Sequence, residues 1–250
     1  AKGVKRRLSV CPQLAFSVCP QLTLSVLCLP SGSKGVEVLT WADLIVFAGN
    51  VAVDVAGGAP MSFCPGRTDA VAGDPGAQYL SSPNFGAGVH NDIVETTYKL
   101  KESLSRLGLT LREATVLQGG RHSLGLINGD PVADHAWTTS PGVLDNEWFR
   151  NLVNLEYALV DGVTPDLYKA VDGTASSAAG RGLFMSATDM AFISDPVLAG
   201  YTVEYAADAE VFKADFAAAW TKVMNSDRFD GPTQSLCDRP LRPTAGILIQ

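Results

Sequence analysis

The sequence predicts a mainly α-helical fold, and three observations support this prediction. Apolar residues recur at helical spacing in three segments, about 40–57, 88–107 and 208–225. Helix-start patterns precede several segments, and the strongest of them is Thr110-Leu-Arg-Glu113. No alternation of apolar and polar residues is long enough to predict a β-strand. The chain is therefore expected to build its core from packed helices.

The composition is that of a globular, acidic protein. Of its 250 residues, 46% are hydrophobic, which is enough to bury a sizeable core. The net charge of -7 argues against nucleic-acid binding, because contact with a phosphate backbone requires a basic surface. The five cysteines form no Cys-x-x-Cys pair, so neither a zinc ribbon nor a complete disulfide framework is indicated.

The first 38 residues differ from the rest of the chain. The hexapeptide Ser-Val-Cys-Pro-Gln-Leu occurs at 9–14 and again at 17–22, after a basic start. A basic start before an apolar stretch is typical of targeting segments, but Pro12, Pro20 and Pro30 disfavour a membrane helix. We predict an irregular apolar arm or targeting remnant over 1–38, a helical domain over 39–230 and a tail over 231–250. An apolar arm without a core of its own predicts a covering protein partner.

The first two helices are predicted from their caps and breakers. Thr40 caps a helix that ends at Gly57-Gly58, and a second helix over 88–107 stops at Gly108. The segment between them, 59–87, is rich in Pro, Gly and Asp and is expected to be a loop.

The third helix starts at the capping box and leads to His122. The pair Gly119-Gly120 precedes this histidine and Gly125 follows it, so we expect a gap of small residues beside an imidazole. Such a gap suits a flat cofactor, and imidazole is the usual axial ligand of haem iron. The alternative is a satisfied polar residue at a helix end, which is the commoner role of a lone histidine.

The remaining helices follow two less regular stretches, 126–144 and 161–182. Asp145 precedes a fourth helix, and the acidic residue favours its positive end. Ser194-Asp195-Pro196 is a helix-start signal, and the last helix covers about 208–225.

Six motifs give the chain a family resemblance. Over residues 38–230 it resembles class I haem peroxidases, and its middle part is most similar to ascorbate peroxidases. The closing stretch, 205–229, looks more like the C-terminal domain of catalase-peroxidases. The motifs, in order, are WADLIVFAGNVAVD at 41–54, FCPGRTD at 63–69, GGRHSLG at 119–125, AWTTSP at 136–141, DNEWF at 145–149 and TDMAFISDP at 188–196.

The resemblance implies a haem-peroxidase-like helical fold and a site for haem b. His122 stands at the position of the proximal haem ligand, Trp137 at that of the tryptophan beside it, and Asp189 at that of the carboxylate that accepts the imidazole proton. Trp137 would then be a candidate site for an oxidising equivalent. The positions of Ser123, Thr138, Ser140 and Asp145 match those where related enzymes hold a monovalent cation.

The resemblance also has gaps. No histidine precedes His90, and residues 1–39 contain no Arg-x-x-x-His arrangement of the kind that supplies the distal histidine and arginine of the family. Pro131 stands where ascorbate-using relatives have an arginine, and we expect a truncated fold with only the proximal half. Arg67 and Asp69 are interpreted as structural. His90 and His135 are expected to have surface or capping roles.

Two classes of function are consistent with these observations. The favoured hypothesis is a degenerate, non-catalytic accessory or structural subunit of a larger assembly. By analogy with a thylakoid-lumen relative, we expect that assembly to be a photosynthetic membrane complex in a plastid. The alternative is a haem peroxidase that reduces hydrogen peroxide, with its distal half supplied by another chain or missing from the sequence record. A haem carrier or sensor would need only the proximal residues.

Overall fold

The computed structural model describes residues 40–61, 63, 67, 69, 92–106, 108–125, 136–162, 166–171 and 182–225. The chain divides into two units, Ala1–Val38 and Leu39–Gln250, and every described residue lies in the second. The predictions for the arm, the tail, His90, Pro131 and His135 lie outside the described residues.

The described part is mainly helical, which confirms the predicted fold class. Seven helices and one small sheet occur in it. The helices are α1 (Trp41–Val55), α2 (Ile93–Arg106), α3 (Leu111–Leu124), α4 (Glu147–Asn154), α5 (Ala187–Ser194), α6 (Pro196–Ala207) and α7 (Ala209–Asn225). None of these helices is long and apolar enough to cross a membrane.

The helix-start signals act through the hydrogen bonds expected of them. The Thr40 side chain accepts from the amide of Asp43, and Thr110 with Glu113 forms a complete capping box. The second helix begins later than predicted, at Ile93 instead of about 88. The carboxylate of Asp92 accepts the amide N–H of Glu95 there at 2.9 Å, which caps the helix at that point.

Three short strands were not predicted. β1 (Tyr157–Leu159), β2 (Leu167–Ala170) and β3 (Phe184–Ser186) form an antiparallel sheet in the order β1-β2-β3. Each strand has only three or four residues, so an alternating pattern has no room to appear in the sequence. The prediction of an irregular stretch over 161–182 is therefore wrong for β2.

The core is an aromatic cluster packed around α3. Rings from α4, α5, α6 and α7 contact one another with centroids 4.9–6.2 Å apart: Trp148, Phe149, Phe192, Tyr205, Phe212 and Phe216. They lie against the glycine pair of α3. A Cβ added to Gly119 would lie 2.2 Å from the ring of Phe149, and one added to Gly120 would lie 2.1 Å from that of Phe216.

This packing overturns the expected gap for a flat cofactor. Phenyl rings fill the space beside the two glycines, because an α-helix without side chains at these positions lets aromatic residues approach its backbone. Gly119 and Gly120 are thus required for helix packing in this structure.

Arg67 and Asp69 are structural, as predicted. Arg67 forms a buried ion pair with Asp43 of α1 at 3.0 Å and donates to the carbonyl oxygen of Met224 at the end of α7. The carboxylate of Asp69 accepts the first two amides of α1. The segment that carries both residues therefore ties the start of α1 to the end of α7.

The glycine packing predicts opposite effects of alanine at two helical positions. Gly120→Ala should lower the free energy of unfolding by about 1–3 kcal/mol, since the new methyl group overlaps the ring of Phe216. Gly200→Ala in α6 is the matched control, because no atom lies within 4 Å of its added Cβ. That variant should gain roughly 0.5–1 kcal/mol from helix propensity. Urea unfolding measures both, and equal effects of the two substitutions would contradict the packing described.

Candidate functional site

The structure brings together His122, Trp137 and Asp189, three residues far apart in the sequence. His122 lies in the last turn of α3, and Asp189 lies in the first turn of α5, directly after β3. Trp137 follows Ala136, whose carbonyl oxygen accepts the amide of Phe184 at 2.9 Å. The sheet that sequence reasoning missed therefore holds Trp137 beside the start of α5.

The carboxylate of Asp189 is the centre of this cluster. Its Oδ2 accepts the indole N–H of Trp137 at 3.0 Å and the amide of Ser186 at 2.8 Å. Its Oδ1 accepts the side-chain amide of Gln118 at 3.3 Å and lies 3.6 Å from Nδ1 of His122. The side chain is fully buried, so these donors replace the water that the carboxylate loses on folding.

The imidazole of His122 is neutral at physiological pH. Burial lowers its pKa from 6.5 to about 4, although the charge of Asp189 acts in the opposite direction. The positive charge of Arg121 lowers the pKa further. The approach to Asp189 is therefore a contact between a carboxylate and a neutral ring, not an ion pair, at pH 7.

Two indoles and one amide enclose the imidazole. The ring centroid of His122 lies 3.8 Å from that of Trp137 and 5.2 Å from that of Trp148. Its Nδ1 has no hydrogen-bond partner among the described residues, and Nε2 lies 3.4 Å from the side-chain nitrogen of Gln118. His122 is only 2% exposed.

This arrangement does not fit a haem at His122. An axial ligand needs a nitrogen lone pair that faces open space for the metal and its macrocycle. Here the side-chain nitrogen of Gln118 lies 3.4 Å from Nε2, and the indoles of Trp137 and Trp148 lie against the buried ring. On the other side of the ring, Oδ1 of Asp189 lies 3.6 Å from Nδ1, which is too far for the carboxylate–histidine hydrogen bond that orients a metal-bound histidine.

The residues predicted for a monovalent cation are engaged mainly in local structure. The Ser123 hydroxyl lies 2.9 Å from the carbonyl oxygens of Gly119 and Asp145, and the Asp145 carboxylate accepts the amide of Glu147 at the start of α4. Ser140 accepts the amide of Val143 through its carbonyl oxygen. The Thr138 hydroxyl is buried without a hydrogen-bond partner among the described residues. The cation site stays a prediction.

Sequence reasoning missed Gln118 and Trp148 as neighbours of His122. Gln118 stands four residues before His122, and this spacing places both on one helix face, so the signal was present. Trp148 is in the DNEWF motif, yet nothing in the sequence places its ring beside an imidazole 26 positions away. Within the described part of the chain, no group of three His, Cys, Asp or Glu side chains is arranged to hold a metal ion.

Comparisons with known proteins define the class of this chain. The peroxidase family model matches residues 30–208. The chain therefore belongs to the peroxidase family, and its relatives support the class I haem peroxidase group. Members of this family typically bind haem.

Several relatives of the chain are catalase-peroxidases. The protein of Mycosarcoma maydis is 35% identical over 210 residues, which cover 80% of this chain and 28% of that protein. The protein of Mycobacterium ulcerans (strain Agy99) is 37% identical over 80% of this chain and 28% of its own length. For Cronobacter sakazakii the identity is 34%, over 90% of this chain and 32% of the relative. The chain thus spans about a third or less of the length of these relatives.

The lowered pKa of His122 predicts a stability that depends on pH. Below pH 6.5 the unfolded chain binds a proton at this histidine, whereas the folded chain does not until about pH 4. Stability therefore falls as the pH drops through this window, by about 2 kcal/mol between pH 7 and pH 5. Urea unfolding at several pH values measures the effect.

The control for this measurement is His122→Gln, which keeps a polar side chain but cannot titrate. Between pH 7 and pH 5, the free energy of unfolding of this variant should fall by roughly 2 kcal/mol less than that of the wild type. Parallel profiles of the two proteins would contradict a lowered pKa at His122.

Proposed function

We propose that this chain is a non-catalytic peroxidase-family domain that acts as a structural or accessory part of a larger assembly. One observation carries the proposal: the nitrogen of His122 that would bind haem iron lies against the amide of Gln118. A peroxidase that cannot place iron on this nitrogen lacks the proximal half of its chemistry.

The packing around the site supports a structural role. The donors on Gln118, Trp137 and Ser186 all converge on the buried carboxylate of Asp189, so the cluster links α3, the segment after Ala136 and the start of α5. Buried polar groups with such partners fix the relative positions of the elements that carry them. The same residues that resemble a haem site thereby serve as a polar tie within the core.

An accessory role requires a protein partner, and the outer face of α1 is consistent with one. Trp41, Ile45 and Val55 of this helix are 72%, 68% and 82% exposed. Large apolar side chains exposed on one helix are typical of protein contacts. Contact through the arm over 1–38 and location in a plastid remain parts of the proposal.

The second candidate is a haem peroxidase that reduces hydrogen peroxide. The proximity of His122, Asp189 and Trp137 favours it, because a neutral imidazole with a carboxylate close to Nδ1 is a feature of metal-bound histidines. This function requires the side chain of Gln118 to leave Nε2, and a distal half supplied by another chain.

Titration with hemin distinguishes the two candidates. We expect the absorption spectrum of the wild type with hemin to match that of His122→Ala, because no iron coordinates to the imidazole. Peroxide reduction by the mixture should not exceed that of free hemin at the same concentration. A catalase-peroxidase treated in the same way serves as the positive control.

A Soret band that is present in the wild type and lost in His122→Ala would contradict the proposal, as would peroxide reduction that depends on His122. Circular dichroism of both proteins establishes that the substitution leaves the fold intact, since a misfolded variant binds hemin without specificity.

A further inference from the structure

We infer that the outer face of α1 is a self-association surface, on which a second copy of this chain docks its own α1 in the antiparallel orientation. This inference deepens the proposed function, on which it rests, because it names the partner that this face takes. It depends on the surface of α1 and not on the surroundings of His122.

Every exposed side chain of α1 is apolar. Six such residues recur at helical spacing and lie within about 100° of the helix circumference: Trp41, Leu44, Ile45, Ala48, Ala52 and Val55. The exposed fractions of the four large side chains range from 42% for Leu44 to 82% for Val55. A continuous apolar stripe of this kind is typical of a surface that another protein covers.

The polar contacts of α1 face its own domain. The carboxylate of Asp43 is buried in the ion pair with Arg67 at 3.0 Å. The side-chain oxygen of Asn50 accepts the indole N–H of Trp220 at 2.8 Å. The side of α1 that holds it to the domain is therefore distinct from the apolar stripe, which is left without a partner within the described part of the chain.

The stripe is symmetric about Ala48, and this symmetry favours a second copy as the partner. Leu44 and Ala52 lie four residues on either side of Ala48, and Trp41 and Val55 lie seven residues on either side. In an antiparallel pair with its two-fold axis at Ala48, Trp41 faces Val55 of the other copy, and Leu44 faces Ala52. Each larger side chain thus meets a smaller one, and alanine at the crossing point lets the two helices approach closely.

The charges of α1 favour a protein over a lipid surface. The helix contains no Lys or Arg, whereas helices that lie on membranes carry basic residues beside their apolar face.

The exposed area of the stripe sets the expected strength of the dimer. Two copies that cover the four large side chains would bury roughly 800–1,000 Å² in total. Interfaces of this size are at the low end of specific complexes, so we expect a dissociation constant in the micromolar range.

The first test is sedimentation velocity of the full chain over concentrations from about 1 to 200 µM, which span the expected dissociation constant. A reductant is present so that the five cysteines form no disulfides between chains. We expect a monomer at the low end and a dimer at the high end. A chain that stays monomeric throughout would overturn the inference.

The second test is charge exchange across the two-fold axis. Leu44→Glu and Ala52→Lys should each weaken the dimer about 10-fold or more, because each places unpaired charges in the contact. The double variant should bind at least about 10-fold more tightly than either single variant, since each Glu then faces a Lys of the other copy. The two positions are eight residues apart, too far to pair within one helix.

Two control variants accompany this test. Leu44→Lys combined with Ala52→Lys brings like charges together and should stay monomeric. Val94→Glu in α2 changes a residue that is 76% exposed outside the stripe, and it should leave the dimer unchanged. A dimer that Leu44→Glu does not weaken would overturn the inference, as would a double variant no tighter than the single variants. Vesicles of phosphatidylglycerol that bind the monomer through Leu44 would assign the face to lipid and also overturn it.

A conservative variant keeps the inference testable if the charged variants fail to fold, which circular dichroism detects. The difference in fluorescence between the wild type and Trp41→Phe reports Trp41, and we expect its emission to shift to shorter wavelengths as the concentration rises. An unchanged emission would overturn the inference and leave the proposed function standing. Conversely, hemin binding and peroxide reduction that depend on His122 would overturn the proposed function alone, since the dimer does not involve that residue.

Discussion

The buried carboxylate of Asp189 is the interaction on which the rest of the site depends. A fully buried charge destabilises the folded state unless hydrogen-bond donors surround it. Its donors come from three separate segments, through Gln118 of α3, Trp137 after the Ala136 bridge and Ser186 at the start of α5. The folded state therefore has to bring these segments together, and the positions of Trp137 and His122 follow from that requirement.

The glycine pair of α3 is a second requirement of the core, because it allows the aromatic rings to pack against this helix. Gly119 and Gly120 let the rings of Phe149 and Phe216 approach the helix backbone more closely than any side chain at those positions would allow. Helix α3 can consequently lie at the centre of the aromatic cluster. A motif that suggests space for a flat cofactor in the sequence thus provides space for two side chains of the same chain.

The sequence predicted the parts of the fold that rest on local contacts. The caps at Thr40 and Thr110 depend on hydrogen bonds between residues three positions apart, and such signals can be read directly from the chain. The three strands could not be predicted in this way, because strands of three or four residues are stabilised by their neighbours in the sheet and not by their own pattern. The family resemblance identified His122, Trp137 and Asp189 as one set, which the structure places in contact.

The set alone does not decide whether a domain of this family binds haem. A neutral imidazole with a carboxylate and an indole nearby is compatible both with an iron ligand and with a buried polar cluster. An iron ligand and a member of a polar cluster differ in the neighbour of one atom, Nε2 of His122. In this chain that neighbour is Gln118, whose side-chain amide also donates to Oδ1 of Asp189 at 3.3 Å. Because the Asp189 carboxylate accepts a hydrogen bond from the Gln118 amide, the contact of that amide with Nε2 of His122 is a consequence of how the core is built.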